Sequence, residues 1–205
     1  MTGVAEHGEG WILRHRGAVR RSARMIFGFV WGIDAALAFF PQTPFWFSES
    51  VLAASIGQPS WLSGWYAFWV VQSQQYAAMD VGVVTLLELA LCVSLILGLV
   101  RKTAYLGGMG LSLFIWAVPN GFGGPYEVGT FDVGVGVIYA IAFLFLLVLD
   151  ADPSAKVGTV DGWIERRWPG WARWAEVSTS VFRRSERVSR RPHEVPATPP
   201  GQQNP

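Results

Sequence analysis

The feature that most constrains this chain is a set of four apolar runs. Each is about as long as the roughly 20 helical residues needed to cross the hydrocarbon core of a bilayer. They are Ser22 to Phe40, Asp80 to Val100, Ala104 to Phe122 and Phe131 to Leu149. In lipid, backbone N–H and C=O groups need partners within the segment, so runs of this kind are expected to be helices. A β-barrel would show short segments of alternating polarity, which are absent. The expected fold is therefore an all-α integral membrane protein, a four-transmembrane-helix bundle with spans 22–40, 80–100, 104–122 and 131–149. Composition agrees. Of 205 residues, 51% are hydrophobic and 15% charged, against about 25% charged in an ordinary soluble domain. This excludes a disordered chain and a nucleic-acid binder of high net charge. A single cysteine excludes a disulfide-stapled module.

Basic residues give the orientation. Arg14, Arg16, Arg20, Arg21 and Arg24 precede or open the first span, Arg101 and Lys102 fill the turn between the second and third, and the remainder of the 16 Lys and Arg follow Asp152. Residues 41–79 and 123–130 carry none. The positive-inside rule then puts both termini and the 101–103 turn in the cytoplasm of a bacterial-type plasma membrane.

The chain divides into a cytoplasmic segment 1–21, a membrane domain 22–150, a Trp/Arg region 151–188 and a Pro- and Gln-rich tail 189–205 expected to be disordered. The outer loop 41–79 contains an aromatic run, Trp61 to Val71, too short to span. It reads as an interfacial helix, or else as a prelude to a very long second helix. The second and fourth spans both open with Asp-Val-Gly-Val, at Asp80 and Asp132, which suggests duplicated helical hairpins. Either Asp would also suit a helix N-terminus, where a carboxylate accepts free N–H groups. Gly28-xxx-Gly32 and Gly136-xxx-Ala140 allow close helix contacts. In the region 159–188, Trp163, Trp168, Trp171 and Trp174 stand among arginines, the pattern of interfacial helices on anionic inner-leaflet lipids.

Asp34 and Glu88 are the candidate catalytic pair. An ionisable group inside a span is costly unless paired or neutral. At about 1.5 Å per residue, Asp34 lies about 9 Å from the outer end of the first span and Glu88 about 12 Å from that of the second. At matching depth they can share a proton, in a relay or in a hydrogen bond to a quinone. The plainer alternative is a packed polar contact. Asp80, Thr85, Trp116, Asn120, Tyr126 and Asp132 are candidate ligand-binding residues lining an acidic outer mouth, or else a solvated rim. His7, His15 and His193 all lie outside the spans, so no haem or metal is expected within the chain. Cys92 is alone, so a dithiol relay is excluded.

The four spans, the long first outer loop, the stretch Gly121 to Tyr139 (GFGGPYEVGTFDVGVGVIY) and the turn Leu97 to Thr103 resemble the DoxX/DoxD-like membrane family. That family includes the small subunit of thiosulfate:quinone oxidoreductase. The first span departs from its pattern, with Trp31-Gly32-Ile33-Asp34 where many relatives carry a Gly followed soon by Lys. The resemblance implies a quinone-linked or thiol/sulfur-redox-associated membrane subunit, working beside a protein partner or as a homo-oligomer. If the chain is enzymatic, it is a subunit of a quinone-dependent oxidoreductase. The alternatives are a non-catalytic scaffold that recruits a partner protein and a small proton-coupled transporter.

Overall fold

A computed structural model describes residues 3–124, 134–151 and 159–175, with side chains from Gly17 onward. Among the described residues every regular element is helical. Helix α1 spans Gly3–Ala38, α2 Thr43–Ser55, α3 Ser63–Leu97, α4 Arg101–Ala117 and α5 Val135–Leu149. Two short helices follow, α6 Val160–Arg167 and α7 Ala172–Ala175. The segment before residue 22 therefore continues the first helix instead of standing apart from it.

The stretch between the first two apolar runs is more structured than the sequence suggests. Pro41 ends α1, and α2 restarts at once with a proline in its first turn, where the missing N–H costs nothing. The two meet at 101°. Val51 and Ala54 are buried and α2 packs on α3, so tertiary contact holds a 13-residue helix that would be marginal alone. The run Trp61 to Val71 is not a separate interfacial helix. It continues into α3, whose 35 residues would reach about 50 Å, well beyond a hydrocarbon core of about 30 Å. Within α3 only Tyr76 leaves helical geometry (φ −129°, ψ 22°). Asp80 consequently sits inside a helix and caps no N-terminus.

Helix α3 ends at Gly98, whose φ of 66° suits glycine, and the Gly98 and Leu99 N–H groups both donate to the Ser94 carbonyl. Helices α4 and α5, at 17 and 15 residues, are shorter than the runs 104–122 and 131–149. Pro119 follows α4, the chain then turns through positive φ at Gly121, Phe122 and Gly123, and Gly134 (φ 90°) precedes α5. One helical stretch, Ser60–Leu97, is long and apolar enough to cross a membrane, and residues 17–38 of α1 qualify together with α2 as a bent pair.

Helix α1 packs chiefly on α3, and α4 on α5. The pairs meet around Trp31, Leu91, Leu95, Tyr105, Leu111 and Phe143. Small residues permit the approach. Gly32 faces the Cys92 sulfur, and a Cβ at Gly108 would overlap the Phe143 ring. Large apolar side chains also face outward, and several polar ones lie inside. Ile26, Phe29, Ile33 and Leu37 on α1, Leu86 on α3, and Phe145 and Val148 on α5 are exposed, whereas Thr85, Glu88, Arg24, Arg101 and Ser112 are buried.

Candidate functional site

A cavity of about 400 Å³ lies among α1, α2, α3 and α4. Its polar lining comes from Asp34 of α1, Thr85 and Glu88 of α3, and the hydroxyl residues Thr43 and Ser50 of α2. Val81, Thr85 and Glu88 follow one another at spacings of four and three, so one stripe of α3 faces it. Trp46 and Phe47 of α2 and Phe114 and Ile115 of α4 supply aromatic and apolar walls. Glu88 is 7% exposed and Asp34 half-buried. Asp34 lies within electrostatic reach of both Glu88 and Tyr139. The Thr85 hydroxyl donates to the Val81 carbonyl at 2.8 Å, so its oxygen is left as an acceptor. The two carboxyl groups, one from α1 and one from α3, thus line one cavity, with α2 side chains lining it beside them.

The other expected ligand-binding residues do not gather there. Asp80 Oδ1 accepts from Gln72 Nε2 at 3.0 Å, while its Oδ2 is buried and finds no partner among the described residues. Trp116 packs edge-to-face on Phe122, ring centroids 5.1 Å apart, and lies against Gly134 and Gly136. Asn120 is exposed in the turn after α4, where its carbonyl accepts from the Gly123 N–H at 2.7 Å. Tyr126 and Asp132, and with Asp132 the second Asp-Val-Gly-Val copy, lie outside the described residues. Within the described residues the acidic mouth reduces to Asp34, Thr85 and Glu88.

A second polar centre closes the opposite end of the bundle. Asp150, at the C-terminus of α5, accepts from the Tyr105 hydroxyl at 2.6 Å. It also pairs with Arg20 (3.5 Å), Arg24 (3.9 Å) and Arg101 (3.4 Å). Arg24 Nε donates to the Leu95 carbonyl and Arg20 to the Leu149 carbonyl, so cations satisfy the last turns of α3 and α5. Arg101 also pairs with Asp161 at 3.2 Å. Asp161 further accepts from the N–H groups of Val100 and Arg101 and from Trp171 Nε1, at 2.7, 3.1 and 2.9 Å. A tail carboxylate thus serves the N-terminus of α4, where free N–H groups and the helix dipole favour an anion.

The sequence reading missed this centre because it treated the arginines as markers of sidedness. A signal was present: Arg20 and Arg24 stand one helical turn apart, so they share a face, and two acidic residues, Asp150 and Asp152, follow the apolar α5 run. The Trp/Arg region is accordingly anchored to the bundle. Trp171 turns inward to Asp161 and Thr103 donates to the Trp174 carbonyl at 3.2 Å, while Trp163, Trp168 and the Trp174 ring remain exposed. Residues 176–205, with the rest of the expected interfacial face and the tail, lie outside the described residues. Comparison with protein-family models, curated proteins and solved structures returns no match.

Proposed function

We propose that this chain is a DoxX/DoxD-like four-span membrane subunit that holds a quinone in the Asp34–Glu88 cavity. The spans would be α1 from residue 17, α3, α4 and α5, arranged as two hairpins with both termini on the cytoplasmic side of a bacterial-type plasma membrane. Broad exposed aliphatic faces favour lipid surroundings, since a soluble bundle would bury them. The arginine end suits the cytoplasmic face and the Trp-rich loop the outer one.

The observation that carries the ligand reading is the cavity itself. It is mostly apolar, within the usual range of about 300–1,000 Å³ for small-molecule sites, and has two carboxyl groups in its lining. Quinone oxygens only accept hydrogen bonds. Asp34 or Glu88 donates when it carries a proton, and the Trp46 indole is a further donor in the wall. When bound, the quinone supplies the acceptor for electrons from a sulfur or thiol compound oxidised on a protein partner. Asp34 and Glu88 hold and pass the protons, the role their adjacent placement allows. The chain's own residues thus provide binding and proton handling, not electron carriage.

The test is purification in mild detergent followed by extraction and quantification of bound quinone. Wild type should retain it, and Asp34→Asn and Glu88→Gln should each lower retention without loss of the folded bundle. Absence of quinone from the wild-type protein, or undiminished retention in both variants, would overturn the reading.

A further inference from the structure

A second depression, about 440 Å³, lies beside the cavity. The bend between α1 and α2 forms one side, with Phe39, Phe40 and Pro44. Gly82, Leu86 and Leu89 of α3 form the other. These three recur at spacings of four and three, one residue on from the Val81, Thr85 and Glu88 stripe, so they occupy the adjacent strip of the same helix. No ionisable side chain lines this groove, and Phe39, Phe40 and Leu86 are among the exposed hydrophobics. Ala38, Val81 and Thr85 line both spaces. A polar-walled chamber and an apolar groove on the outer face therefore share a wall.

We infer that the groove carries the hydrocarbon tail of a prenylated quinone whose head lies in the Asp34–Glu88 cavity, and that the ligand enters sideways from the lipid. The inference rests on the quinone reading and narrows it. The two spaces adjoin along Ala38, Val81 and Thr85, an arrangement that matches an amphiphile with one polar end laid across that ridge. A sulfur anion does not match, because the cavity wall offers two carboxyl groups and no Lys, Arg or His to an incoming negative charge. The cavity is thus the acceptor's site, and the sulfur or thiol donor is oxidised elsewhere, on the partner.

Gly82 gives a clean probe. A Cβ there would meet nothing within 4 Å, so a side chain can start from this position without a clash at its first carbon. The full chain is reconstituted in bilayer discs, and its tryptophan fluorescence is titrated with a long-tailed prenylquinone and with the same ring carrying a methyl group instead of the tail. Concentrations are expressed per lipid. Gly82→Trp, and independently Leu86→Trp, should weaken the tailed quinone by about tenfold, the size expected of an overpacking cost of roughly 1–3 kcal/mol. Both should leave the tail-less analogue unchanged, which also reports an intact head cavity. Unchanged binding of the tailed quinone in both variants overturns the groove while leaving the head site standing, and the groove then belongs to bulk lipid. Failure of the wild-type protein to bind either compound overturns the quinone reading itself.

Discussion

Asp161 is 0% exposed and accepts four contacts, from Val100, Arg101 twice, and Trp171. Asp161→Ala leaves two helix N–H groups and part of a buried guanidinium without partners. Breaking a buried pair in this way costs about 3–5 kcal/mol, so a large fall in the midpoint of thermal unfolding in detergent is expected. Asp161→Asn keeps one acceptor oxygen and should lose less; equal losses would show that charge alone matters. Gly108→Leu drives a side chain into the Phe143 ring and should destabilise by roughly 1–3 kcal/mol, as overpacked cores do, in the same melt. Asp34 and Glu88 are coupled differently, through one cavity. Independent sites give additive effects. The double variant Asp34→Asn, Glu88→Gln should instead lose little more quinone than the worse single one. Additive losses would mean that the two carboxyls act separately. Of these residues, Asp34 and Glu88 were legible from sequence because a carboxyl in an apolar run is conspicuous. Asp161 was not, since an aspartate in a polar tail looks ordinary until Arg101 is beside it.

At the scale of elements, helical type was legible almost throughout, and extent was not. The apolar runs marked where helices α1, α3, α4 and α5 would lie. Pro41 marked the end of α1 from the sequence, whereas other boundaries shifted because the residues that set them, Gly98, Gly121 and Gly134, act through positive φ. Helix α2 was hidden because a 13-residue apolar stretch after a proline reads as loop unless a partner surface such as α3 is known. Of the two readings of Trp61–Val71, the prelude to a very long second helix is the one found, with the Gln72 amide matched to Asp80 two turns on. The tail makes its own prediction. Trp163 and Trp168 are exposed beside Arg166 and Arg167. In reconstituted full-length protein, single-tryptophan reporters at these positions should be quenched by brominated lipid more strongly in anionic than in neutral bilayers. Added salt should remove the difference. Equal quenching in both lipids would exclude an electrostatic attachment.

For the whole molecule, segregation of charge was the strongest sequence signal, and the structure gives it a second meaning. Arg20, Arg24 and Arg101 mark one end of the bundle and also bind it together through Asp150. Hydropathy sees only the first of these roles, because it has no record of partners distant in sequence. The proposed topology predicts that Ser60→Cys in a Cys92→Ser background reacts with an impermeant thiol reagent added from outside, and Lys102→Cys only after the inner face is opened. The reverse pattern would invert the orientation. The bond between Asp161 and the start of α4 also has a consequence for how the protein is made. Its partners lie about 60 residues apart, on either side of α5. During synthesis, the first turn of α4 leaves the ribosome well before the carboxylate that satisfies it, and Arg101 waits for both of its acidic neighbours. The cap on α4 is therefore completed only after α5 has been made. A chain interrupted between residues 151 and 158 would hold every apolar helix and the Asp150 pairs, and would lack only the Asp161 contacts that cap the start of α4.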